Sequence, residues 1–176
     1  RRNQAMPILD REAKLDCDTF IRSAERRIAD YPPNVPLIIA GRYAKQAFGD
    51  DISPGASQRP QIHFSKKFAT TTPEFLREYA KSVARSACKM AQQRPVFMMR
   101  PVPEFEFDVP RTLLLRHLFS DGGEPQLDFA KYMLRNRWLW ATQDEAREQC
   151  GIKIIDPTSL LCRRGKCSAS INGRPI

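Results

Sequence analysis

The sequence predicts an α/β fold, a three-layer α/β/α sandwich with a parallel sheet, and three short apolar runs separated by helical stretches carry that expectation. The runs are Pro36-Leu-Ile-Ile-Ala40, Pro95-Val-Phe-Met-Met99 and Gly151-Ile-Lys-Ile-Ile155. Each is entered through proline or glycine and is too short for a helix, which reads as a strand covered on both faces. Strands alternating with helices imply parallel pairing through right-handed crossovers.

The elements follow in order. Residues 13 to 31 carry Cys17, Phe20, Ile21, Ala24 and Ile28 at helical spacing, and Pro32-Pro33 ends the helix. The first strand follows and stops at Gly41. A polar stretch from Asp50 to about Thr71, with Pro54-Gly55 and Pro60, is expected to be a long excursion with little regular structure. Thr72-Pro73-Glu74 then supplies an N-cap, a proline at the first helical position and a carboxylate in the first turn. That helix runs to about Gln92 and buries Leu76, Tyr79, Ala80, Val83, Ala87 and Met90. After the second strand, Arg100-Pro-Val-Pro-Glu-Phe-Glu-Phe-Asp-Val-Pro110 is a proline-stiffened loop. Helices are expected at 110 to 119 and from about Leu127 to Gln149, and Asp156-Pro157 terminates the third strand.

The 176 residues make one domain, residues 1–176, long enough to bury about two-thirds of the surface of the unfolded chain. No apolar run approaches the ~20 residues that span a bilayer. The first residues lack the apolar stretch of a signal peptide and position 1 is not methionine, so the chain is expected to be an excerpt of something longer. A net charge of +9 would attract anionic partners, but the basic residues occur as pairs such as Arg26-Arg27, Lys66-Lys67 and Arg163-Arg164. That dispersal favours a solvated basic surface over a nucleic-acid footprint.

Five cysteines without paired C-x-x-C spacing argue against a metal site. Cys162 and Cys167 enclose four residues, Gly165 among them. This suits a disulfide closing a tight hairpin or loop in an oxidising compartment, with free thiols as the alternative. Neither glycine-rich phosphate-loop motif occurs, nor does G-x-S-x-G. Of the two histidines, His117 in Leu113-Leu-Leu-Arg-His-Leu-Phe119 reads as a partly buried packing residue, and His63 as an exposed loop residue.

In open parallel sheets ligands bind beyond the carboxyl ends of the strands. Those ends are Gly41-Arg42-Tyr43, Arg100-Pro101-Val102-Pro103-Glu104 and Asp156-Pro157. Arg42 follows a glycine there and is the candidate for holding an oxyanion or anionic substrate, against the plainer reading of a strand-end arginine paired with a carboxylate. Glu104 and Asp108 are candidates for an acid and base pair, against the plainer reading of loop carboxylates that serve solubility.

Three stretches taken together, the helix from Cys17 through Tyr31-Pro32 to Leu37-Ile-Ile-Ala-Gly-Arg-Tyr-Ala44, the segment from Arg94 to Pro110, and the ending from Ile154 to Ile176, resemble one family. It is the C-terminal SGNH-type domain of bacterial acyltransferase-3 membrane proteins, the O-acetyltransferases of surface polysaccharides. The resemblance implies a flavodoxin-like sandwich of the SGNH-hydrolase type, incomplete at both ends. It places the nucleophilic serine in a Gly-Asp-Ser motif ahead of residue 1 and the histidine in an Asp-x-x-His motif just past residue 176. The isolated chain is then expected to be inactive, and Arg42 lies at the oxyanion side by position rather than by matched motif.

It further implies a periplasmic domain of a bacterial inner-membrane protein that needs no cofactor. A membrane acyltransferase domain of the same polypeptide delivers the acetyl group, and a polysaccharide or glycolipid such as lipopolysaccharide O-antigen accepts it, with no nucleic-acid partner. An SGNH esterase or deacylase, and a non-catalytic module for anionic glycan or nucleic acid, are the competing readings. The sugar acylated and the pairing of Cys17, Cys88 and Cys150 are left open.

Overall fold

The computed structural model describes residues 8–9, 17–49, 59–64, 66–119, 123–172 and 174–175. In chain order the elements are β1 (Ile8–Leu9), α1 (Cys17–Ala29), β2 (Leu37–Ile39), α2 (Tyr43–Phe48), β3 (Ile62–His63), α3 (Pro73–Ala91), β4 (Val96–Met99) and α4 (Val109–Phe119). Then come β5 (Gln126–Asp128), α5 (Phe129–Cys150), β6 (Lys153–Ile155), α6 (Thr158–Leu161), β7 (Cys162–Arg163), β8 (Lys166–Ser168), β9 (Ser170–Ile171) and β10 (Arg174–Pro175). The predicted strands and helices are all present, with α1 starting at Cys17; residues 13–16 lie outside the described residues, as do residues 50–58 and 65 of the excursion from Asp50.

The three apolar runs form one parallel sheet in the order β2-β4-β6, with Leu37 opposite Val96 and Phe97 opposite Lys153. The helix between β2 and β4 begins as its sequence dictates. Thr72 is extended and its hydroxyl accepts a hydrogen bond from the Phe75 amide at 3.1 Å, while Pro73 occupies the first helical turn with no amide to waste. At its far end α5 stops at Gly151, whose φ of 69° is the left-handed conformation that glycine adopts without strain.

Side chains alternate across a strand, so one face of the sheet carries Leu37, Ile39, Val96, Met98, Ile152 and Ile154. These pack with Phe75, Tyr79, Val83, Ala87 and Met90 of α3 and Leu139 and Ala146 of α5 into a single core, and Ile28 of α1 joins them. Burying each large side chain of that core contributes roughly 1.5–3 kcal/mol.

The opposite face holds Ile38, which is 59% exposed, and Phe97, half-buried beneath the Lys153 ammonium. Among the described residues the arrangement is therefore a parallel sheet with helices packed on one face, and the second helical layer of the expected sandwich is not seen. The Lys153 in Ile-Lys-Ile was the sequence sign of a face in contact with water.

Three smaller antiparallel units depart from the parallel scheme, one of them the pair β9 and β10. β5, β8 and β7 make an antiparallel sheet in which Cys162 faces Cys167 and the two are joined as a disulfide. Its hairpin turns at Arg164 and Gly165, both at positive φ (50° and 76°), the backbone of a two-residue turn that matches strand twist. β1 pairs antiparallel with β3, so the predicted excursion contains a short strand, and Ile62 is buried in the core. A second disulfide, Cys88–Cys150, ties the last turn of α3 to the end of α5. The side chain of Cys17 lies outside the described residues.

Candidate functional site

Because β2, β4 and β6 run parallel, their carboxyl ends fall along one rim, and Arg42, the loop from Arg100 to Glu104 and Asp156 all follow directly from them. Glu104, 62 residues from Arg42, reaches it across that rim: Arg42 donates from Nε to Glu104 Oε1 at 3.2 Å. The second oxygen, Oε2, accepts from Arg135 Nε at 3.2 Å, and Arg135 also donates to the Gly49 carbonyl at 3.1 Å while lying over the Phe48 ring. Two guanidinium groups thus flank one carboxylate whose side chain is only 7% exposed. The cluster carries one net positive charge.

The proline loop that carries Glu104 is held from α5. Gln143 donates to the Met99 carbonyl at 2.9 Å and Tyr132 to the Pro101 carbonyl at 2.7 Å. Arg100, buried, donates to the Trp140 carbonyl at 2.8 Å, to Gln143 Oε1 at 3.2 Å and to Asp144 at 2.7 Å, with its guanidinium 4.3 Å from the Trp140 ring centre. Proline supplies no amide and its neighbours form no ladder, so these side-chain bonds replace the ones a longer strand would have made. Burial pushes the Tyr132 hydroxyl up to about 12 and, on the α2 side of the rim, that of Tyr43 to about 12. Both are therefore neutral donors at physiological pH.

The residues singled out in the sequence separate into two groups. Arg42 and Glu104 meet. Asp108 does not join them: its carboxylate accepts from the Arg111 amide at 2.9 Å and caps α4, which removes the proposed acid and base pair. Asp156 closes the rim but spends one oxygen on the amide and hydroxyl of Thr158, at 2.9 and 2.6 Å, where it starts α6. His117 is exposed on α4 instead of packed, because the inward side of that helix is taken by Val109, Thr112 and Leu113. The side chain of His63 lies outside the described residues. Among the described residues no three histidine, cysteine or acidic side chains converge as a metal site.

Arg135 was missed, and Arg100 was placed at a strand end without a role. Arg135 had a readable signal, since it stands three residues after Tyr132 and four before Leu139 and so lies along the buried stripe of α5. A charge on such a stripe needs a buried partner.

No curated protein and no solved structure gives a significant match. A family model does match, over residues 2–176, and its description is SGNH domain (fused to AT3 domains). The α/β architecture with its parallel sheet is consistent with that fold, and the membership suggests chemistry of acyl transfer or hydrolysis beside a membrane acyltransferase domain. No helix among the described residues is long and apolar enough to cross a membrane. By a match that covers nearly all of its length, the chain belongs to the family of SGNH domains fused to AT3 domains.

Proposed function

We propose that this domain performs O-acyl transfer, specifically passing an acetyl group to a bacterial surface polysaccharide such as lipopolysaccharide O-antigen, on the periplasmic side of the inner membrane. The family membership is the observation that carries this reading. In it, the partner membrane domain supplies the acetyl group, and a serine and a histidine from segments outside these residues form and resolve an acyl ester. Residues of this chain contribute charge. Arg42 keeps 59% of its side chain exposed at the carboxyl rim while its Nε donates to Glu104, which supports a reading in which its remaining N–H groups stabilise negative charge developing on the acyl oxygen. Arg135 holds Glu104 in place and acts only through it. The supporting disulfides suit an oxidising compartment.

The test uses the complete membrane protein with an acetyl donor and purified glycan, alongside hydrolysis of a simple ester. Arg42→Ala is expected to lower kcat for transfer about 10²-fold with little change in KM. Undiminished transfer would remove Arg42 from the site. Ester hydrolysis without any transfer by the unaltered protein would make the domain a deacylase instead.

A further inference from the structure

Helix α4 presents an outer face that nothing in the described structure covers. Its inward side is Val109, Thr112, Leu113 and Arg116, spaced i, i+3, i+4 and i+7; Val109 is buried, Thr112 and Leu113 are half-buried, and Arg116 donates to the Gly123 carbonyl at 2.6 Å. The outward side repeats that spacing with Arg111, Leu114, Leu115 and Leu118, and Phe119 extends it. Leu114 is 57% exposed, Leu118 60% and Phe119 79%. A helix apolar on both sides is ordinarily buried on both. Single exposed leucines need no explanation, as with Leu134 on α5 and Leu160 on α6, but a contiguous stripe does.

The surroundings of the stripe decide what covers it. Arg111 lies within it, His117 beside it, and β10, which carries the exposed Arg174, packs next to the helix. Of the acidic groups near the helix in sequence, Glu106 and Asp108 stand before or at its N-terminal end, where Asp108 is committed to the cap, and Asp121 and Glu124 follow its C-terminal end, Glu124 accepting from the Ser170 amide and hydroxyl. The whole chain carries +9. An apolar stripe bordered by the cations Arg111 and Arg174 matches a surface that is hydrocarbon beneath and anionic at its edge. A second copy fits less well. Eleven helical residues span about 16 Å, and one stripe of that length falls well short of the roughly 800 Å² per partner of a stable interface. Fusion to AT3 domains ties the domain as a whole to a membrane protein, and such tethering raises the effective concentration of even a weak contact with lipid.

We propose that α4 docks in the interface of an anionic phospholipid bilayer, with Leu114, Leu115, Leu118 and Phe119 entering the headgroup boundary and Arg111, His117 and Arg174 facing the lipid phosphates. The inference needs the family context but not the acetyl-transfer reading, and its test involves no catalysis. The 176-residue chain is floated with vesicles of phosphatidylethanolamine and phosphatidylglycerol, and separately with phosphatidylcholine alone.

Partition into the anionic vesicles is expected to exceed that into the neutral ones at least tenfold. The double substitution Leu118→Ser with Phe119→Ser is expected to lower it about tenfold, with circular dichroism unchanged. Leu134→Ser and Leu160→Ser remove exposed leucines elsewhere and are expected to leave partition as it was. Failure to float with anionic vesicles overturns the proposal. So does binding that 0.5 M salt abolishes but the Leu118 and Phe119 substitutions do not touch, which would be diffuse attraction by net charge. A concentration-dependent dimer in sedimentation, dissolved by the same double substitution, would assign the stripe to a second copy and equally overturn it.

Discussion

Glu104 accepts a hydrogen bond from Arg42 on one carboxylate oxygen and from Arg135 on the other, both at 3.2 Å, so a buried anion is shared between a strand end and a helix. The two arginines differ in what they stand to lose. The Arg135 side chain is 14% exposed and that of Arg42 59%. Replacing Glu104 by Ala strands Arg135 and is expected to cost on the order of 3 kcal/mol. Arg42→Ala removes an exposed partner and is expected to cost under about 1 kcal/mol. Urea midpoints measured on both variants check the order, and equal losses would show that the burial of Glu104 is not what matters.

The disulfides are expected to contribute unequally. Cys88–Cys150 closes a loop of separation 62 and Cys162–Cys167 one of 5. Chain-entropy reasoning assigns about 4 kcal/mol to the first and about 2 kcal/mol to the second. Thermal unfolding of Cys88→Ser with Cys150→Ser, against Cys162→Ser with Cys167→Ser, is expected to show the larger fall in Tm for the former pair.

Arg100 is a positioning residue for the proline loop. Three acceptors on α5 converge on its guanidinium, and its plane lies over Trp140. Lysine keeps the charge but has neither the planar fork nor the stacking surface. Arg100→Lys is therefore expected to destabilise by about 2–3 kcal/mol, and to increase amide hydrogen exchange between residues 99 and 104 before it affects α3.

Alkaline pH provides a check on the buried tyrosines. Burial raises Tyr43 and Tyr132 to about 12 and moves Tyr79, whose hydroxyl donates to Gln46, upward as well. An unfolded tyrosine ionises near 10, so above that pH the unfolded chain holds fewer protons than the native one and stability must fall. Loss is expected between pH 10 and 12, with none attributable to these groups below pH 9. Stability to urea that is flat across that interval would contradict the burial of all three.

Much of the architecture was legible because local chemistry determines it. Thr72-Pro73-Glu74 starts a helix wherever it is placed, Gly151 ends one, and three apolar runs between helices leave little choice but a parallel sheet. The rim followed from that topology, and with it the nearness of Arg42 to the proline loop. The resemblance that named the family also rested on local runs and is borne out by the family match. Other expectations depended on partners far away in sequence. His117 looked packed because its neighbours are apolar, yet α4 turns those neighbours outward. Glu104 and Asp108 looked alike, but one meets two arginines and the other meets the backbone of α4.

The sequence by itself determined the three parallel strands, the longer helices between them and the rim on which Arg42 sits, and its spacing suited a disulfide between Cys162 and Cys167. Only the tertiary structure decided that Cys88 meets Cys150, that Arg135 completes the Glu104 pair, that among the described residues the helices pack on one sheet face and that α4 is apolar on its outside. The division has one physical cause. Strand and helix formation respond to side chains within a few residues, whereas ion pairs, disulfides and burial are contacts between residues that the chain brings together only after the sheet has formed.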